Sequence, residues 1–461
     1  WGGIVKDETM LARDKVRYVG EPIAAVAAID AATAIRAAAA IEVDYEPLRC
    51  VLSPDAALAR DAPLVHEGFA AYVKTVDGGG HGNIVFETDV AEGDVDHAFA
   101  QCDAIVEGTF ETQAQHHVYL ETNGCVADVD ASGRITLYAS CQSVHHAQQR
   151  VAEELGEPMA RIRVIATRVG GAFGGKHASN LHSIAAWLAR AARRPVKLVL
   201  SRMQDFEVQR SRHPARIWMK TGARHDGTIL ARDVRVTLDG GAYADESPAV
   251  LAFALLMSRG PYRIPNVRAH GAVVYTNKLR AGSFRGFGNP QATFAGESQL
   301  DDLAASLGID SCELRLRNAM RAGDTAFGGQ PVASCIVGDA LMRVRDAQRA
   351  ASPLSPREGT QRGIGFAVMS HISCLMGTSA TVQLRTDGSI ALATGCVDIG
   401  QGADTVMVQM CAELLGVPQE DRRKLFDWSN QMLNYDDPEY GDATTTTAGT
   451  NLLSGVLPTA V

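Results

Sequence analysis

Apolar and polar positions along this chain follow strand and helix periods in alternation. The run Ile162-Arg163-Val164-Ile165 alternates and predicts a strand, whereas apolar positions from Ser179 to Ala192 recur at helical spacing. The same patterns predict strands over 16–19, 23–28 and 41–45 and helices over 31–40 and 292–307. Strands and helices mixed in this order indicate an α/β fold.

Stretches rich in proline and glycine divide the 461 residues, which are too many for one ordinary core. We expect a small α/β unit over 1–60 and an exposed linker over 61–85. A large α/β region over 86–355 and a further α/β region over 360–461 follow. The chain starts at tryptophan and stops within an apolar run, which predicts a portion of a longer polypeptide, with its last domain truncated.

An internal repeat joins the two larger regions. Residues 133–158 and 388–418 share a strand, a cysteine and a helix that ends in glycine with proline beyond it. The second copy carries five extra residues around 398–402. This spacing favours two related domains whose loops, 142–146 and 400–402, meet at one cleft. The alternative is two ordinary β–α units.

Composition excludes several function classes. The net charge of −9 provides no basic surface for nucleic acid. Nine cysteines without a CxxC pair argue against zinc or Fe–S ligation by this chain and fit a reducing cytoplasm. No apolar run approaches the ~18 residues of a membrane span. We expect a cytoplasmic protein.

The most distinctive motif is Gly170-Gly171-Ala172-Phe173-Gly174-Gly175-Lys176, between the predicted strand 162–165 and the helix that follows. Four glycines allow the backbone unusual conformations and close approach to a neighbour. Such a loop before a helix is typical of phosphate-bearing cofactor sites, although it matches neither a Walker loop nor a good dinucleotide fingerprint. A plain turn is the alternative.

A second motif is Phe284-Arg285-Gly286-Phe287-Gly288-Asn289-Pro290-Gln291. The guanidinium of Arg285 offers a planar fork of donors for phosphate or carboxylate. Phe287, between two glycines, offers a flat face to an aromatic substrate. The alternative is a β-turn with hydrophobic anchors.

These motifs occur together in one family, which the chain resembles over essentially its whole length: the molybdenum-cofactor subunits of the xanthine dehydrogenase and aldehyde oxidase family. Further matches are Tyr18–Val26, which resembles the family's hammerhead domain, His117–Glu121, and Leu307–Asp310 leading to Leu314–Asn318. The resemblance implies a small hammerhead α/β domain followed by two related molybdopterin-binding α/β domains, the second truncated.

The resemblance also implies roles for individual residues. Cofactor contacts would come from three loops and one late segment: Gln142, Gly171, Ala172, Phe173, Gly174, Gly175, Arg285, Gly400, Gln401, Gly402 and Thr445. Substrate contacts would come from His177, Phe287 and Phe253. For His177 the alternative is a solvent-facing histidine at a helix start. No residue would ligate molybdenum directly, because the pterin holds the metal.

Departures from the family pattern narrow the substrate. His177 stands where purine-oxidising members often have glutamate, and Phe253 stands near the position of their arginine. Gly282 replaces the copper-binding cysteine of carbon monoxide dehydrogenases, and threonines at 444–447 replace the usual Ser-Arg. The resemblance therefore favours an aldehyde, an N-heteroaromatic ring or an aromatic acyl-CoA.

The family's general-base glutamate has no match in this sequence, so the resemblance places it beyond Val461. The implied cofactor is molybdopterin, in its cytosine dinucleotide form, with [2Fe-2S] clusters and FAD on partner subunits or absent portions. The implied assembly is a dimer of heterotrimers. Two alternatives remain: a catalytically incomplete binding or assembly relative, and, less well supported, a nucleotide-dependent α/β enzyme.

Overall fold

The computed structural model describes residues 1–76, 78–177, 179–351, 359–361, 363–371, 380–386 and 390–416. The strands are β1 Ile84–Glu92, β2 Ala104–Thr112, β3 Gly124–Val129, β4 Ile135–Ala139, β5 Ile162–Ala166, β6 Val196–Val199, β7 Ala215–Ala223, β8 Ile229–Gly241, β9 Asn266–Tyr275, β10 Ala380–Leu384 and β11 Ile390–Thr394. The helices are α1 Ala31–Ala39, α2 Pro54–Leu58, α3 Val95–Phe99, α4 Val144–Leu155, α5 Asn180–Ala192, α6 Arg202–Val208, α7 Ser247–Met257, α8 Asn289–Leu307, α9 Ser311–Asn318, α10 Val337–Ala350 and α11 Ala403–Leu414, with short 3-10 turns at Phe69–Ala71 and Met159–Arg161.

The largest sheet has the strand order β1-β9-β8-β7-β2 and is antiparallel except where β8 pairs with β9. That parallel pair requires a crossover, which α7 supplies. The helices α7 and α8 pack against this sheet and form its main core, with fully buried Val234, Leu251 and Leu300. The crossover leads into β9, and the loop after β9 precedes α8.

A smaller sheet has the order β5-β4-β3-β6, with β4 parallel to β5 through the crossover helix α4. Both α4 and α5 cover it, and nine residues of α5 are buried. The strand predicted over 162–165 and the helices predicted over 179–192 and 292–307 are confirmed, with α8 starting three residues earlier than predicted.

The internal repeat is present as a structural unit in both copies. The hairpin β3–β4 leads to α4, and the hairpin β10–β11 leads to α11. The loop before α4 spans 140–143, and the loop before α11 spans 395–402. Four of the five extra residues therefore lie in this loop. The fifth lies at the helix end, where Leu415 stays right-handed before Gly416 at φ 66°.

The strands predicted over 16–19, 23–28 and 41–45 are wrong, whereas α1 confirms the helix predicted over 31–40. A strand requires a neighbour for its backbone hydrogen bonds, and within the described residues these segments find no sheet partner. Alternation of apolar residues alone does not supply that partner.

The beginning of the chain is held by buried charge. Glu8 pairs with Arg150 at 3.0 Å and with Arg280, both of which are fully buried. Burial opposes ionisation of Glu8, but these two guanidinium groups outweigh it and lower its pKa to about 2. Removing either arginine would leave a buried carboxylate poorly compensated.

The segment over 61–85 is not an exposed linker throughout. Val65 and Phe69 are buried in the main core, and the His66 Nε2 atom lies 2.7 Å from the carbonyl oxygen of Ala242. Proline and glycine content predicted exposure because it reports backbone breaks, not side-chain burial. In the described part of the chain, no helix is long and apolar enough to cross a membrane.

Candidate cofactor and substrate site

The glycine loop connects β5 to α5 and is shaped by left-handed backbone at Gly171, Phe173 and Gly174, with φ of 89°, 49° and 101°. Positive φ is strained in a bulky residue such as phenylalanine, so its surroundings must hold it there. Gln142 does part of this. Its Oε1 accepts hydrogen bonds from the amides of Gly174 at 3.2 Å and Lys176 at 3.4 Å.

Close packing explains why glycine occupies the end of the loop. A Cβ on Gly174 would lie 2.7 Å from the carbonyl oxygen of Ser283, and one on Gly175 would lie 2.6 Å from the Tyr119 ring. Real Cβ atoms do not approach other atoms this closely. The loop is therefore fixed by its contact with other segments rather than by turn geometry alone.

Residues of the segment 117–121 support the loop from behind. Tyr119 is fully buried, and the Lys176 ammonium lies 4.6 Å from the centre of its ring. Lys176 Nζ also donates to Glu121 Oε2 at 2.8 Å, which in turn accepts from the amide of Gly170 at 2.7 Å. Burial opposes ionisation of Glu121, but these donors lower its pKa.

The two sequence motifs lie against each other. The amide of Arg285 donates to the carbonyl oxygen of Phe173 at 2.9 Å. The Arg285 side chain is exposed, and its guanidinium has no partner among the described residues. Arg212 stacks on the Phe284 ring at 3.9 Å and donates to the Arg285 carbonyl at 2.9 Å, and burial lowers its pKa to about 10.

Two of the predicted substrate residues form an aromatic pair. Phe253, on α7, meets Phe287 edge to face, with ring centres 5.3 Å apart. Phe287 has φ of 51°, so both motifs place a phenylalanine in left-handed backbone. Only glycine is accommodated at position 288, because a Cβ there would lie 2.4 Å from the carbonyl oxygen of Val250 on α7.

His177 lies at the N-terminal end of α7, where it contacts the N-cap residue Glu246. Its Nδ1 is 2.9 Å from Glu246 Oε1 and 3.4 Å from His146 Nδ1. Glu246 Oε2 accepts a hydrogen bond from the Ser283 hydroxyl. Burial opposes ionisation of Glu246, but His177, Arg210 and these hydrogen bonds hold its pKa well below the usual range.

The second copy of the repeat reaches the first through its loop. Ser143 forms an isolated antiparallel bridge with Cys396, and a Cβ on Gly395 would lie 2.9 Å from His145 Nε2. Gly400 and Gly402 make no such approach, since no described atom lies within 4 Å of where a Cβ on either would stand. The predicted meeting of the loops therefore occurs through 395–396 rather than through 400–402.

The side chain of Gln401 serves its own loop. Its Oε1 accepts from the amide of Ile399 at 2.6 Å, and its Nε2 donates to the carbonyl oxygen of Val397 at 2.9 Å. The Gly400 amide donates to Asp398 Oδ1 at 2.8 Å. Thr445 lies outside the described residues.

Hydrogen-bond donors without described partners converge on the first loop. They include the amides of Gly171, Ala172 and Phe173, the Nε2 of Gln142 and the guanidinium of Arg285. Successive backbone amides at a left-handed turn form a concave anion-binding surface. This donor set fits an anionic, oxygen-rich, phosphate-bearing group such as molybdopterin. No cluster of three or more metal-ligating side chains occurs among the described residues.

Two cavities lie away from this surface. One of about 280 Å³ includes His116, Phe206 and Lys278, and one of about 530 Å³ includes Trp1 and Trp187. Neither is lined by the predicted cofactor or substrate residues. We place the candidate site at the paired motifs because several donors there have no partner among the described residues.

Several residues of the site escaped prediction from the sequence. Glu246 and Ser283 gave no local signal, because one acidic residue before a helix and one serine before a motif are common. Arg212 likewise stood in no recognisable motif. His117 was noticed only as part of a signature, and its role emerged from its stacking on Phe284 at 4.2 Å and its 2.8 Å contact with the Ser283 carbonyl.

Comparison with known families decides what the fold is. Residues 77–319 and 339–453 each match a molybdopterin cofactor-binding domain, and residues 1–49 match the aldehyde oxidase and xanthine dehydrogenase a/b hammerhead domain. The chain belongs to the xanthine dehydrogenase and aldehyde oxidase family. The expected mixed α/β fold with a hammerhead and molybdopterin-binding domains is thereby confirmed.

Relatives within the family have several named substrates. The chain is 36% identical over 431 residues to a probable xanthine dehydrogenase subunit of Bacillus subtilis, covering 91% of this chain and 56% of that protein. It is 38% identical over 330 residues to the nicotinate dehydrogenase large molybdopterin subunit of Eubacterium barkeri, covering 72% of this chain and 75% of that protein. The solved aldehyde oxidoreductase from Desulfovibrio gigas aligns with a TM-score of 0.77 at 30% identity, over 86% of this chain and 43% of that one.

Proposed function

We propose that this family member forms part of the molybdenum-cofactor-binding subunit of a hydroxylase. Its substrate would be an aldehyde, an N-heteroaromatic ring or an aromatic acyl-CoA. Relatives named for xanthine and nicotinate support an N-heteroaromatic ring, and a relative named for aldehyde supports an aldehyde. When bound, the molybdenum cofactor would supply oxidation of the substrate with oxygen derived from water.

The observation that carries the proposal is the junction of the two motifs. The Phe173 carbonyl and Arg285 amide join the loops at 2.9 Å, and unpaired donors on both loops remain available. The amides of 171–173 and the Gln142 Nε2 would bind the oxygen-bearing groups near the metal. Arg285 would bind the phosphate side of the pterin.

The remaining roles follow from position. Phe173, whose side chain is partly exposed, would limit the space beside the metal. His177, at the N-terminal end of α7, and the Phe253–Phe287 pair, near its middle, would contact the substrate. Residues 400–402 and Thr445 would contact the pterin from the second half of the chain.

We further propose the cytosine dinucleotide form of molybdopterin, a cytoplasmic location and electron transfer to [2Fe-2S] clusters and FAD. These groups would lie on Fe–S and FAD subunits in a dimer of heterotrimers. The relative named a large molybdopterin subunit supports a multi-subunit assembly.

Substitution of Arg285 tests the cofactor proposal. We expect Arg285→Ala to lower bound pterin and molybdenum at least tenfold, because a charged, bidentate phosphate contact is lost. The unfolding temperatures of the cofactor-free variant and the cofactor-free wild type should be equal, since the guanidinium makes no contact with the described residues. Arg317→Ala is the control, because that side chain is also exposed and its nearest acid, Asp226, lies 3.7 Å away. Full cofactor retention in Arg285→Ala would contradict the assignment.

A further inference from the structure

The contact between His177 and Glu246 has a specific consequence for the substrate end of the site. A neutral imidazole carries one proton, and the hydrogen bond made by one ring nitrogen decides which nitrogen holds it. The Glu246 carboxylate accepts only, so a neutral His177 in contact with it carries the proton on Nδ1. Its Nε2 is then left as a hydrogen-bond acceptor.

His146 does not compete effectively for this proton. Its Nδ1 lies 3.4 Å from the Nδ1 of His177, whereas Glu246 Oε1 lies at 2.9 Å, and longer hydrogen bonds are much weaker. The His177 side chain is 24% exposed, and its Nε2 has no partner among the described residues. Among the described residues, no group uses this nitrogen as an acceptor.

Glu246 is itself held in place by both its oxygens and its backbone. One carboxylate oxygen contacts His177, and the other accepts from Ser283, one residue before the Phe284–Gln291 motif. Asp245, the preceding residue, has φ of 45°, and its carboxylate pairs with Arg210 at 3.0 Å and Arg280 at 3.3 Å. These contacts fix the turn that presents Glu246.

We propose that Glu246 is a positioning residue that fixes the tautomer of His177, so that Nε2 accepts a hydrogen bond from the substrate. This inference rests on the proposed function and narrows it to substrates with an N–H donor, such as N-heteroaromatic lactams. An aldehyde has no such donor to offer. The proximity of Ser283 links this choice to the same loop that would hold the cofactor.

Nitrogen NMR of the ¹⁵N-histidine-labelled chain tests the tautomer directly, above the pH range where free imidazole titrates. The His177 signals are identified by their loss in His177→Gln. We expect Nδ1 to be protonated in the wild type and in Glu246→Gln, whose amide oxygen still accepts. In Glu246→Leu the proton should move to Nε2. Glu92→Gln, which removes a distant ion pair with Arg259, is the control.

Protonated Nε2 in the wild type would overturn the proposal even if the leucine variant failed to fold, and so would an unmoved proton in a folded Glu246→Leu. In the cofactor-loaded protein, Glu246→Leu should lower kcat/KM for N–H heteroaromatics relative to aromatic aldehydes by about tenfold. An unchanged ratio would contradict the substrate class. Absence of molybdenum would defeat the proposed function while leaving the tautomer result intact.

Discussion

Two glycine-rich loops, 170–175 after the first copy of the repeat and 400–402 within the second, are stabilised differently. In the loop 170–175, glycines are required because other segments approach within about 2.7 Å of where a Cβ would stand. In the loop 400–402, the left-handed glycines face open space, and the loop is closed by hydrogen bonds to Asp398 and Gln401.

This difference shows which loop is pre-organised by the protein. The first loop is held in shape by contacts with Gln142, Tyr119 and Ser283. The second is a local structure within its own segment. Pre-organised donors bind an anion with little reorganisation, so we expect the first loop to contribute most of the selectivity for the cofactor.

Alanine at matched glycines should give the largest contrast. Gly174→Ala combines a strained φ of 101° with overlap on the Ser283 backbone, so we expect a loss of about 3 kcal/mol in unfolding free energy. Gly400→Ala, at φ of 106° but in open space, should cost only about 1 kcal/mol. Urea denaturation measures both, and equal losses would contradict the difference between the loops.

Acid should weaken the first loop more than the second copy of the repeat. Burial lowers the pKa of His117, behind that loop, to about 3, so its neutral form stabilises the fold above pH about 6.5. This contribution is lost as pH falls from about 6.5 towards 3, amounting to about 2 kcal/mol at pH about 5. Other buried histidines, including His213, titrate in the same direction and weaken the whole fold.

Hydrogen exchange, corrected for intrinsic rates, should therefore show protection at 174–176 falling faster than at 404–414 on acidification. His117→Phe should flatten the pH dependence of the unfolding free energy while keeping the stacked ring against Phe284. An unchanged pH slope in that variant would remove His117 from the explanation.

Matched glutamine substitutions should give the smallest effects. Gln142→Ala removes the acceptor for two loop amides, whereas Gln401→Ala removes one donor and one acceptor from a local turn. We expect the unfolding free energy to fall by about 1–2 kcal/mol in Gln142→Ala and by less than about 1 kcal/mol in Gln401→Ala. Cofactor content should fall more in Gln142→Ala. The reverse order would show that the second loop is the more important contact.

Local patterns predicted the elements around the first loop because β5 and α5 express clear periodicity. The repeat was also readable, since strand, cysteine, helix and capping glycine recur in order. The strands expected over 16–45 could not be predicted reliably, because strand formation depends on a partner that local sequence does not reveal.

The site shows the same limit. The motifs 170–176 and 284–288 could be recognised because glycine and phenylalanine are unusually dense there. The structure joins the two motifs through the hydrogen bond from the Arg285 amide to the Phe173 carbonyl. The partnership of His177 with Glu246 was not visible, since 69 positions separate them and only the return of the chain through β8 brings them within 2.9 Å. Long-range polar contacts carry no signature in a single sequence.

The most direct test of the central claim is elemental analysis of the protein containing this chain, purified from a molybdenum-replete host. We predict about one molybdenum atom per chain together with pterin-bound phosphate, and loss of both in the Arg285→Ala variant. A folded protein that remains free of molybdenum and pterin under these conditions would contradict the claim that the two joined loops hold molybdopterin.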